Sequence, residues 1–308
     1  MINKIVAIQG NHPSKLNPKT DTSVFLAHEI QDKNYKLFYY DPKDLSVINS
    51  KVVASGFFIK FNYSNKKFFR ILKKQKLELT KCKFILIRQD PPFNLEYISA
   101  TYILDTIKDK VKIINNPTSI RNISEKLYSV KYQRYMPSTI FTQNIIEIKK
   151  FFKSHDKVII KPIHSFSGND IHLLNKFNLK IINQFIKKHD HIMCQKYLPK
   201  ISKGDKRVFL INGKVCGAIS RVPKKGSFLS NMSKGAKPIN IKLTKQENKI
   251  SKLIAKDLKK ENIYFAGIDF IDQKLNGDIN VTSPTGLKTL YDLSGKNLAK
   301  VFWKDLKA

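Results

Sequence analysis

Three oxygen-bearing side chains near the end of the chain have the spacing of magnesium ligands. Asp269 lies in the apolar run AGIDFI, and Asp278 and Asn280 are two residues apart in the next run, DINV. Residues two apart in a strand face the same way, so Asp278 and Asn280 share a face. Carboxylate and amide oxygens suit Mg²⁺, which usually takes its other ligands from water and phosphates. The pattern indicates a metal brought by a nucleotide; the alternative is a solvent-facing polar stripe on an antiparallel pair.

Lys161 is a second candidate, because it ends the apolar strand VIIK. A lysine at the buried end of a strand needs an anionic partner, and a phosphate group would serve. The following loop, IHSFSGND, contains a single glycine and so matches a glycine-rich phosphate loop poorly; an ordinary turn is the alternative. His189 and His191 have no third ligand nearby in sequence, and neither a GxSxG serine nor a Cys–His pair indicates a covalent nucleophile.

Arg88 and Asp90 form a third candidate. They follow the apolar strand FILI and precede, in order, the loop residues PPFN, a helix and another strand. In open α/β sheets, ligands bind beyond the carboxyl ends of such strands. The alternative is an Asp-Pro turn with a surface ion pair.

The elements that must position these residues alternate between strand and helix over the first 120 residues. The strands KIVAIQ and KLFYYD enclose a helix at 21–32, and Asn49-Ser50 marks a hairpin. From about residue 120 the strands shorten and hairpin signals increase; the clearest is Asn212-Gly213.

Two further local signals lie in the last third of the chain. Thr244 and Glu247 predict a capping box that opens a helix. A loop of about 17 residues begins at Val222, a length that favours a functional lid or disorder in a compact domain.

Composition narrows the class of protein. The 308 residues are 42% hydrophobic, enough for a sizeable core and two or three domains, and the net charge is +33. The 57 basic residues comprise six arginines and 51 lysines, and the lysines are scattered along the chain. Arginine is the residue that forks onto phosphates and guanine edges, so the excess reflects composition, and no specific nucleic-acid partner is expected. At the few positions where the chain has arginine despite its preference for lysine, we expect that a forked hydrogen-bond donor is needed.

Cysteine usage and hydropathy indicate the compartment. Cys82, Cys194 and Cys216 lie far apart without a CxxC pair, which argues against a disulfide framework or a zinc site. The apolar runs fall far short of the roughly 20 residues that span a bilayer, and the N-terminus has no signal-peptide pattern. We therefore expect a cytoplasmic protein without membrane attachment.

Five segments resemble bacterial glutathione synthetases, of the ATP-grasp superfamily, in the same order and at comparable spacing. The most specific are RQDPPF with the helix YISATYIL after it, and INVTSP after the proposed metal-binding strand. The resemblance covers nearly the whole chain and is weakest at 50–80 and at 222–240. The five segments are IRQDPPFNLEYISATYILD (87–105), NNPTSIRNISEKL (115–127), VIIKP (158–162), QKYLPKISKGDKRV (195–208) and IDFI…DINVTSPTG (268–286).

The resemblance implies an α/β fold that becomes α+β in its C-terminal part. It implies an N-terminal pre-ATP-grasp α/β domain at 1–121 on the substrate side. An ATP-grasp lid or central domain would follow at 122–200, and a C-terminal ATP-grasp domain with the metal site at 201–308.

The resemblance also implies a set of site residues. Lys126 and Lys161 would contact the phosphates of ATP, Arg207 would stabilise the transferring phosphate, and Arg88, Lys161 and Arg207 would be the catalytic residues. The remaining implied contacts are Gln195, Lys196, Tyr197 and Leu198 at the adenine, Asp205 near the ribose, Asp269, Asp278 and Asn280 on Mg²⁺ or Mn²⁺, and Arg88, Asp90, Ser283 and Thr285 at the substrate.

The implied reaction joins γ-glutamylcysteine and glycine at the expense of ATP, through an acyl phosphate, in a homo-oligomer. The 222–240 loop would close over the intermediate. The chain departs from the family pattern at Asp278, which replaces a glutamate, at Leu229, which replaces an arginine, and at 164–168, where HSFSG replaces an Asp-Gly-x-Gly-Gly loop. Two alternatives stay open: an ATP-grasp ligase for another acid and amine, and a non-catalytic binder of nucleotides or nucleic acid.

Overall fold

A computed structural model of the chain describes residues 4–63, 67–166 and 168–308. Three β-sheets follow one another along this part of the chain. Within it, no helix combines the length and the apolar character needed to cross a membrane.

The first sheet has seven strands in the order β3-β4-β2-β1-β6-β7, with β5 paired to β4. Strands β2, β1, β6 and β7 are parallel, and the runs that form β1 and β6 are almost entirely buried, as expected for parallel strands covered on both faces. Asn49 and Ser50 turn the β3–β4 hairpin with φ of 48° and 61°, so that prediction is confirmed. The elements are β1 (Ile5–Gln9), α1 (Thr22–Gln31), β2 (Lys36–Tyr40), β3 (Leu45–Ile48), β4 (Lys51–Phe61), β5 (Phe69–Glu78), β6 (Phe84–Ile87), α2 (Leu95–Asp105), β7 (Lys112–Ile114) and α3 (Pro117–Asn122).

The first sheet contains a topological switch point. From β1 the chain crosses to β2 on one side, and β6 lies on the other side of β1. The loops after β1 and β6 therefore diverge and leave a crevice at the carboxyl ends of these strands. Arg88, directly after β6, lies at this crevice.

The second sheet is antiparallel, in the order β10-β9-β11-β8. Ile148 and Phe151 of α4 and Ile182 and Phe185 of α5 form one buried cluster with the apolar side chains of this sheet. The elements are β8 (Thr139–Thr142), α4 (Ile145–Lys153), β9 (Val158–Pro162), β10 (His172–Leu174), α5 (Leu179–His189) and β11 (Ile192–Lys196).

The third sheet is also antiparallel, in the order β14-β13-β12-β15-β16. Asn212 and Gly213 turn the β12–β13 hairpin, with φ of 48° and 74°, and the capping box of Thr244 and Glu247 opens α6, so both predictions are confirmed. The elements are β12 (Asp205–Ile211), β13 (Lys214–Val222), β14 (Lys237–Asn240), α6 (Lys245–Lys260), β15 (Phe265–Ile271), β16 (Lys274–Asn280), α7 (Leu287–Ser294) and α8 (Leu298–Asp305).

The predicted 17-residue loop is wrong at its C-terminal end. Residues Lys237–Asn240 form the edge strand β14, in which Pro238 pairs with Arg221 of β13. Proline is tolerated there because an edge strand leaves one side of its backbone unpaired.

The end of the chain packs on its beginning. Trp303 of α8 is completely buried, and its indole N–H donates to the Leu26 carbonyl of α1 at 2.8 Å. One apolar cluster therefore includes residues of the first sheet, of α1, of α8 and of the third sheet.

Asn115, directly after β7, joins the first sheet to the third. Its amide nitrogen donates to the carbonyls of Phe265 and Val281, both at 2.7 Å, and its amide oxygen accepts from the N–H groups of Tyr264 and Phe265 at 2.9 and 2.8 Å. The side chain is 3% exposed, so these four bonds are shielded from water.

Replacing Asn115 with alanine should lower the free energy of unfolding by about 3 kcal/mol, because it strands buried backbone groups. The exposed helix cap Asn144 is a matched control, for which alanine should cost about 1 kcal/mol. Urea unfolding of both variants measures the difference; equal losses would contradict the role assigned to Asn115.

Candidate active site

The second and third sheets face each other across a cavity of about 860 Å³. Strands β9 and β11 contribute Lys161 and Gln195 from one side, and β16 contributes Asn276, Asp278 and Asn280 from the other. We call this space the nucleotide cavity, after the ligand that the resemblance implies for the residues that line it.

Two buried lysines enter the nucleotide cavity next to a single carboxylate. Lys126 and Lys161 are each 4% exposed. The Nζ atoms of Lys126 and Lys161 lie 3.5 and 3.8 Å from the Asp278 carboxylate. Burial lowers the pKa of Lys161, with Lys126 acting in the same direction and Asp278 opposing. Two ammonium groups facing one carboxylate leave positive charge that suits phosphate oxygens.

Neutral oxygens complete the surroundings of both lysines. Lys161 Nζ donates to Gln195 Oε1 at 3.2 Å and to the Oδ1 and carbonyl of Asn276 at 3.1 and 3.2 Å. Lys126 Nζ donates to the Ser165 carbonyl at 2.8 Å. These bonds fix both ammonium groups on the cavity wall.

Four buried charges form a row across β15, β12 and β13. Arg207 binds Asp269 through Nε at 2.5 Å and Nη2 at 2.8 Å, and Arg221 binds Asp205 at 2.8 and 2.5 Å. Arg221 Nη2 also lies 3.1 Å from Asp269. Although burial alone would raise it, the Arg207 and Arg221 guanidinium groups lower the pKa of Asp269 to about 2.

The three residues predicted to hold the metal line the same cavity. Asn280 Nδ2 donates to the Gly267 carbonyl at 3.1 Å, which leaves its Oδ1 for a ligand. Both oxygens of Asp269 accept from Arg207, and a carboxylate oxygen has a second lone pair, so Oδ1 of Asp269 keeps a position for a metal ion. In the described part of the chain, no cluster of three or more His, Cys, Asp or Glu forms a metal site by itself. The donors are all oxygens and few, which fits a magnesium ion that takes further ligands from phosphate and water.

The predicted adenine segment, Gln195 to Leu198, also lines the nucleotide cavity. The N–H groups of Lys196 and Tyr197 donate to the carbonyls of Ser138 and Lys157 at 2.9 and 3.0 Å, which anchors the segment. Asp205 lines the cavity too, but Arg221 binds both its carboxylate oxygens.

A second space of about 1540 Å³ adjoins the nucleotide cavity. We call it the acid cavity, after the acid substrate that the resemblance implies for the residues that line it. Asp90, Ser283 and Thr285 line it, and Arg207 lines both spaces. Asn11 Nδ2 donates to Asp90 at 2.8 Å. Burial raises the pKa of Asp90, although Arg88 opposes this.

Arg88 is placed behind the wall of the acid cavity. It is 7% exposed, and its guanidinium donates to Ser23 Oγ at 3.0 Å and to the Pro284 carbonyl at 3.1 Å. Ser283 Oγ in turn donates to the Arg88 carbonyl at 3.3 Å. These bonds let Arg88 hold the 283–285 segment, and Arg88 itself is not among the residues that line the acid cavity.

The serine-bearing loop after β9 is only partly described. The Ser165 hydroxyl donates to the Pro162 carbonyl at 3.3 Å, so it is engaged within the loop. Ser167, the other serine of this loop, lies outside the described residues.

Sequence reasoning missed Glu125, Asn276 and Arg221 as site residues. Glu125 directly precedes Lys126, and Asn276 lies two residues before Asp278, so both adjoin residues that the motifs did identify. Arg221 is one of only six arginines in a lysine-rich chain, which marks it as a candidate. Its partners Asp205 and Asp269 are 16 and 48 residues away, so the sequence does not identify them.

Two antiparallel sheets that enclose a lysine-lined cavity are the architecture of the ATP-grasp ligases, and solved structures with this fold match the whole chain. D-cycloserine synthetase DcsG matches with a TM-score of 0.68 and 9% identity, covering 98% of this chain and 99% of that one. D-alanyl-alanine synthetase A from Vibrio cholerae matches with a TM-score of 0.65 and 13% identity, covering 100% and 98%. The ATP-grasp ligase PsnB, solved with a precursor variant, Mg and ADP, matches with a TM-score of 0.64 and 12% identity, covering 99% and 98%. The predicted fold class is confirmed.

Sequence comparison identifies the family within this class. The N-terminal domain of prokaryotic glutathione synthetase matches residues 5–121, and its ATP-grasp domain matches residues 125–295. Glutathione synthetase of Agrobacterium fabrum is 32% identical over 306 residues, covering 97% of this chain and 95% of that protein. The Buchnera aphidicola enzyme is 34% identical over 301 residues, covering 96% and 93%. The chain belongs to the prokaryotic glutathione synthetase family and is an ATP-grasp ligase that acts on small molecules.

The depressed pKa of Asp269 predicts a defined acid dependence of stability. The pKa of Asp269 in the folded protein, about 2, lies below its ordinary value of 3.8. The stability that the ionised Asp269 carboxylate contributes is therefore complete above about pH 4 and is lost as the pH falls through 2. The difference in unfolding free energy between wild type and Asp269→Asn should therefore narrow by about 2 kcal/mol on acidification.

Urea unfolding at a series of pH values from 5 to 2 measures this narrowing. Asp272→Asn is the control, since Asp272 pairs with an exposed lysine, Lys200, and its difference from wild type should change little. A difference for Asp269→Asn that is constant with pH would contradict the assigned ion pairs.

Proposed function

We propose that this protein joins γ-glutamylcysteine and glycine in a reaction that needs ATP and Mg²⁺, forming glutathione, ADP and phosphate. The observation that carries the proposal is the convergence of Lys126 and Lys161 on Asp278, beside the oxygen of Asn280, in a chain of this family. Positive charge and hard oxygen donors meet there, as a magnesium nucleotide requires.

In this proposal, residues of the nucleotide cavity bind ATP at its adenine and at its phosphates. The segment from Gln195 to Leu198 binds the adenine, Asp205 lies near the ribose, and Lys126 and Lys161 bind the phosphates. Asp278 and Asn280 hold Mg²⁺, with Asp269 as the third ligand, and Mn²⁺ fits the same oxygen donors. The bound metal supplies charge neutralisation on the phosphates.

The reaction takes place where the nucleotide cavity meets the acid cavity. The cysteinyl carboxylate of γ-glutamylcysteine attacks the γ-phosphorus, and ADP leaves. The ammonium of glycine gives one proton to water, and the amine so formed attacks the acyl carbon. The carbon–oxygen bond to phosphate then breaks, and the nitrogen gives a second proton to water. Arg207 lines both spaces and is fixed by Asp269, so its charge faces the phosphoryl group during transfer.

The acid substrate lies against Asp90, Ser283 and Thr285. Arg88 takes part through the Pro284 carbonyl, because its guanidinium holds the 283–285 segment in place. The 222–240 segment closes over the intermediate and excludes water.

We further propose three domains that correspond to the three sheets. Residues 1–121 form the domain on the substrate side, residues 122–200 form the lid, and residues 201–308 form the domain with the metal site. The three cysteines are buried free thiols, which fits a reducing cytoplasm. We propose that the protein forms a homo-oligomer and has no specific nucleic-acid partner.

The proposal is tested by measuring ADP release from purified protein with MgATP. Release should require γ-glutamylcysteine and glycine together, with one glutathione formed per ADP. Release that is independent of glycine, or that requires another acid and amine pair, would contradict the proposal.

Replacing Asp278 with asparagine should reduce kcat at least about 100-fold, because it weakens neutralisation of the charge on the phosphates. Asp272→Asn, at the turn of the same β15–β16 hairpin, is the matched control and should keep wild-type activity. A folded Asp278→Asn protein with near-normal kcat would leave only the polar-stripe interpretation of this hairpin.

A further inference from the structure

A third space of about 360 Å³ lies between the loop after β6 and the loop after β9. Pro91 and Phe93 line it from the first loop, and Ile163 and His164 line it from the second. We call it the small cavity. Glu125 and Phe166 line the small cavity, the nucleotide cavity and the acid cavity alike, so the three spaces meet at these two residues.

One oxygen of Glu125 is fully occupied. Oε1 accepts from the N–H groups of Val281 and Thr282 at 2.8 and 3.0 Å and from Thr282 Oγ1 at 2.9 Å. A carboxylate has two oxygens that accept hydrogen bonds, and within the described chain no hydrogen bond reaches Oε2. Glu125 is thus held rigidly by one oxygen and offers the other to a ligand.

A second polar group of the small cavity is without a partner. Ser124 lines the cavity, and its hydroxyl is buried with no hydrogen bond to any described residue. Buried hydroxyls in folded proteins are nearly always hydrogen-bonded, so the Ser124 hydroxyl has a donor to offer to a polar group that enters the cavity.

The charge of the small cavity limits what that ligand is. Among the described residues that line it, Glu125 is the only carboxylate, and no lysine or arginine is present. Burial lowers the pKa of His164, and Lys126 acts in the same direction, so the imidazole is neutral near pH 7. The remaining walls are mostly apolar. The described wall of the cavity therefore presents one carboxylate and, next to it in sequence, one hydroxyl without a partner, since the Ser165 and Thr282 hydroxyls are engaged.

We propose that the small cavity binds the amine substrate as a short zwitterionic amino acid, with Glu125 Oε2 accepting a hydrogen bond from its amino group and Ser124 donating to its carboxylate. The assignment rests on the proposed function and deepens it. The amino group would lie where all three cavities meet, which is the place from which it attacks an acyl phosphate that spans the other two.

Glu125→Gln tests the assignment with little change of shape. The glutamine oxygen keeps the three bonds to Val281 and Thr282, whereas an NH₂ donor replaces the acceptor Oε2. The KM for glycine should rise at least about tenfold, and the KM values for ATP and γ-glutamylcysteine should stay within about twofold. Glu96→Gln, an exposed position on α2, removes the same charge elsewhere and should leave all three unchanged.

Hydroxylamine provides a second readout, since it is a small uncharged amine without a carboxylate. Glu125→Gln should still convert it, forming the γ-glutamylcysteine hydroxamate at a rate within about threefold of wild type. Ser124→Ala should keep activity with glycinamide and lose preference for glycine over glycinamide, which also tests the cavity if the Glu125 variant fails to fold.

The outcomes separate this assignment from the proposed function. If wild type forms glutathione but Glu125→Gln keeps its KM for glycine, the small cavity is not the amine site. An equal rise in all three KM values also overturns the assignment, because Glu125 would then only hold the end of β16. If wild type shows no glycine-dependent ADP release, the proposed function fails. Whether the small cavity binds glycine is then tested by measuring whether glycine raises the Tm of the wild type. A rise in Tm that is lost in Glu125→Gln supports it, and no rise overturns it.

Discussion

The arrangement of the site depends on the buried row of charges formed by Arg207, Asp269, Arg221 and Asp205. Arg207 lies directly across from Asp269 in the β12–β15 pair, and Asp205 lies directly across from Arg221 in the β12–β13 pair. A shift of either pair by one residue would turn these side chains to the opposite face and leave buried charges without partners. Loss of one partner of a buried pair costs about 3 to 5 kcal/mol, so the register of the central strands is fixed by electrostatics as well as by packing.

That register sets the position of everything on the next strand. β16 pairs with β15, and so Asp278 and Asn280 are presented to the nucleotide cavity only when β15 is in place. The opposing sheet then approaches closely at Gly277. A Cβ atom there would lie 2.6 Å from the Met193 side chain and 2.9 Å from that of Met136, and the φ of 86° also favours glycine. Glycine at this position lets Lys161 reach Asn276 and Asp278 from across the cavity.

The sequence was sufficient for features that depend on local chemistry. Hairpins at Asn49-Ser50 and Asn212-Gly213 and the capping box at Thr244 depend on a few adjacent residues, so their patterns are readable. Recognition of short motifs then placed Lys126 and Lys161 at a common site, which neither lysine indicates alone. The resemblance supplied that step, and periodicity and spacing by themselves reached only a possible magnesium and phosphate site.

Features that depend on long-range contacts were beyond the sequence. The task of Arg88 follows from Ser23 and Pro284, which are 65 and 196 residues away. Glu125 becomes notable only because Val281 and Thr282 occupy one of its oxygens. The retained arginines were the one composition signal with structural content, since Arg207 and Arg221 use their forked donors on buried carboxylates in a chain otherwise rich in lysine.

The most direct test of the account is a crystal structure of the protein with Mg²⁺ and a non-hydrolysable ATP analogue. The account predicts the phosphates between Lys126 and Lys161, a magnesium ion within about 2.1 Å of oxygens from Asp278 and Asn280, and an Arg207 side chain at the transferred phosphoryl group. A nucleotide bound outside this cavity, or a metal held without Asp278 and Asn280, would contradict it.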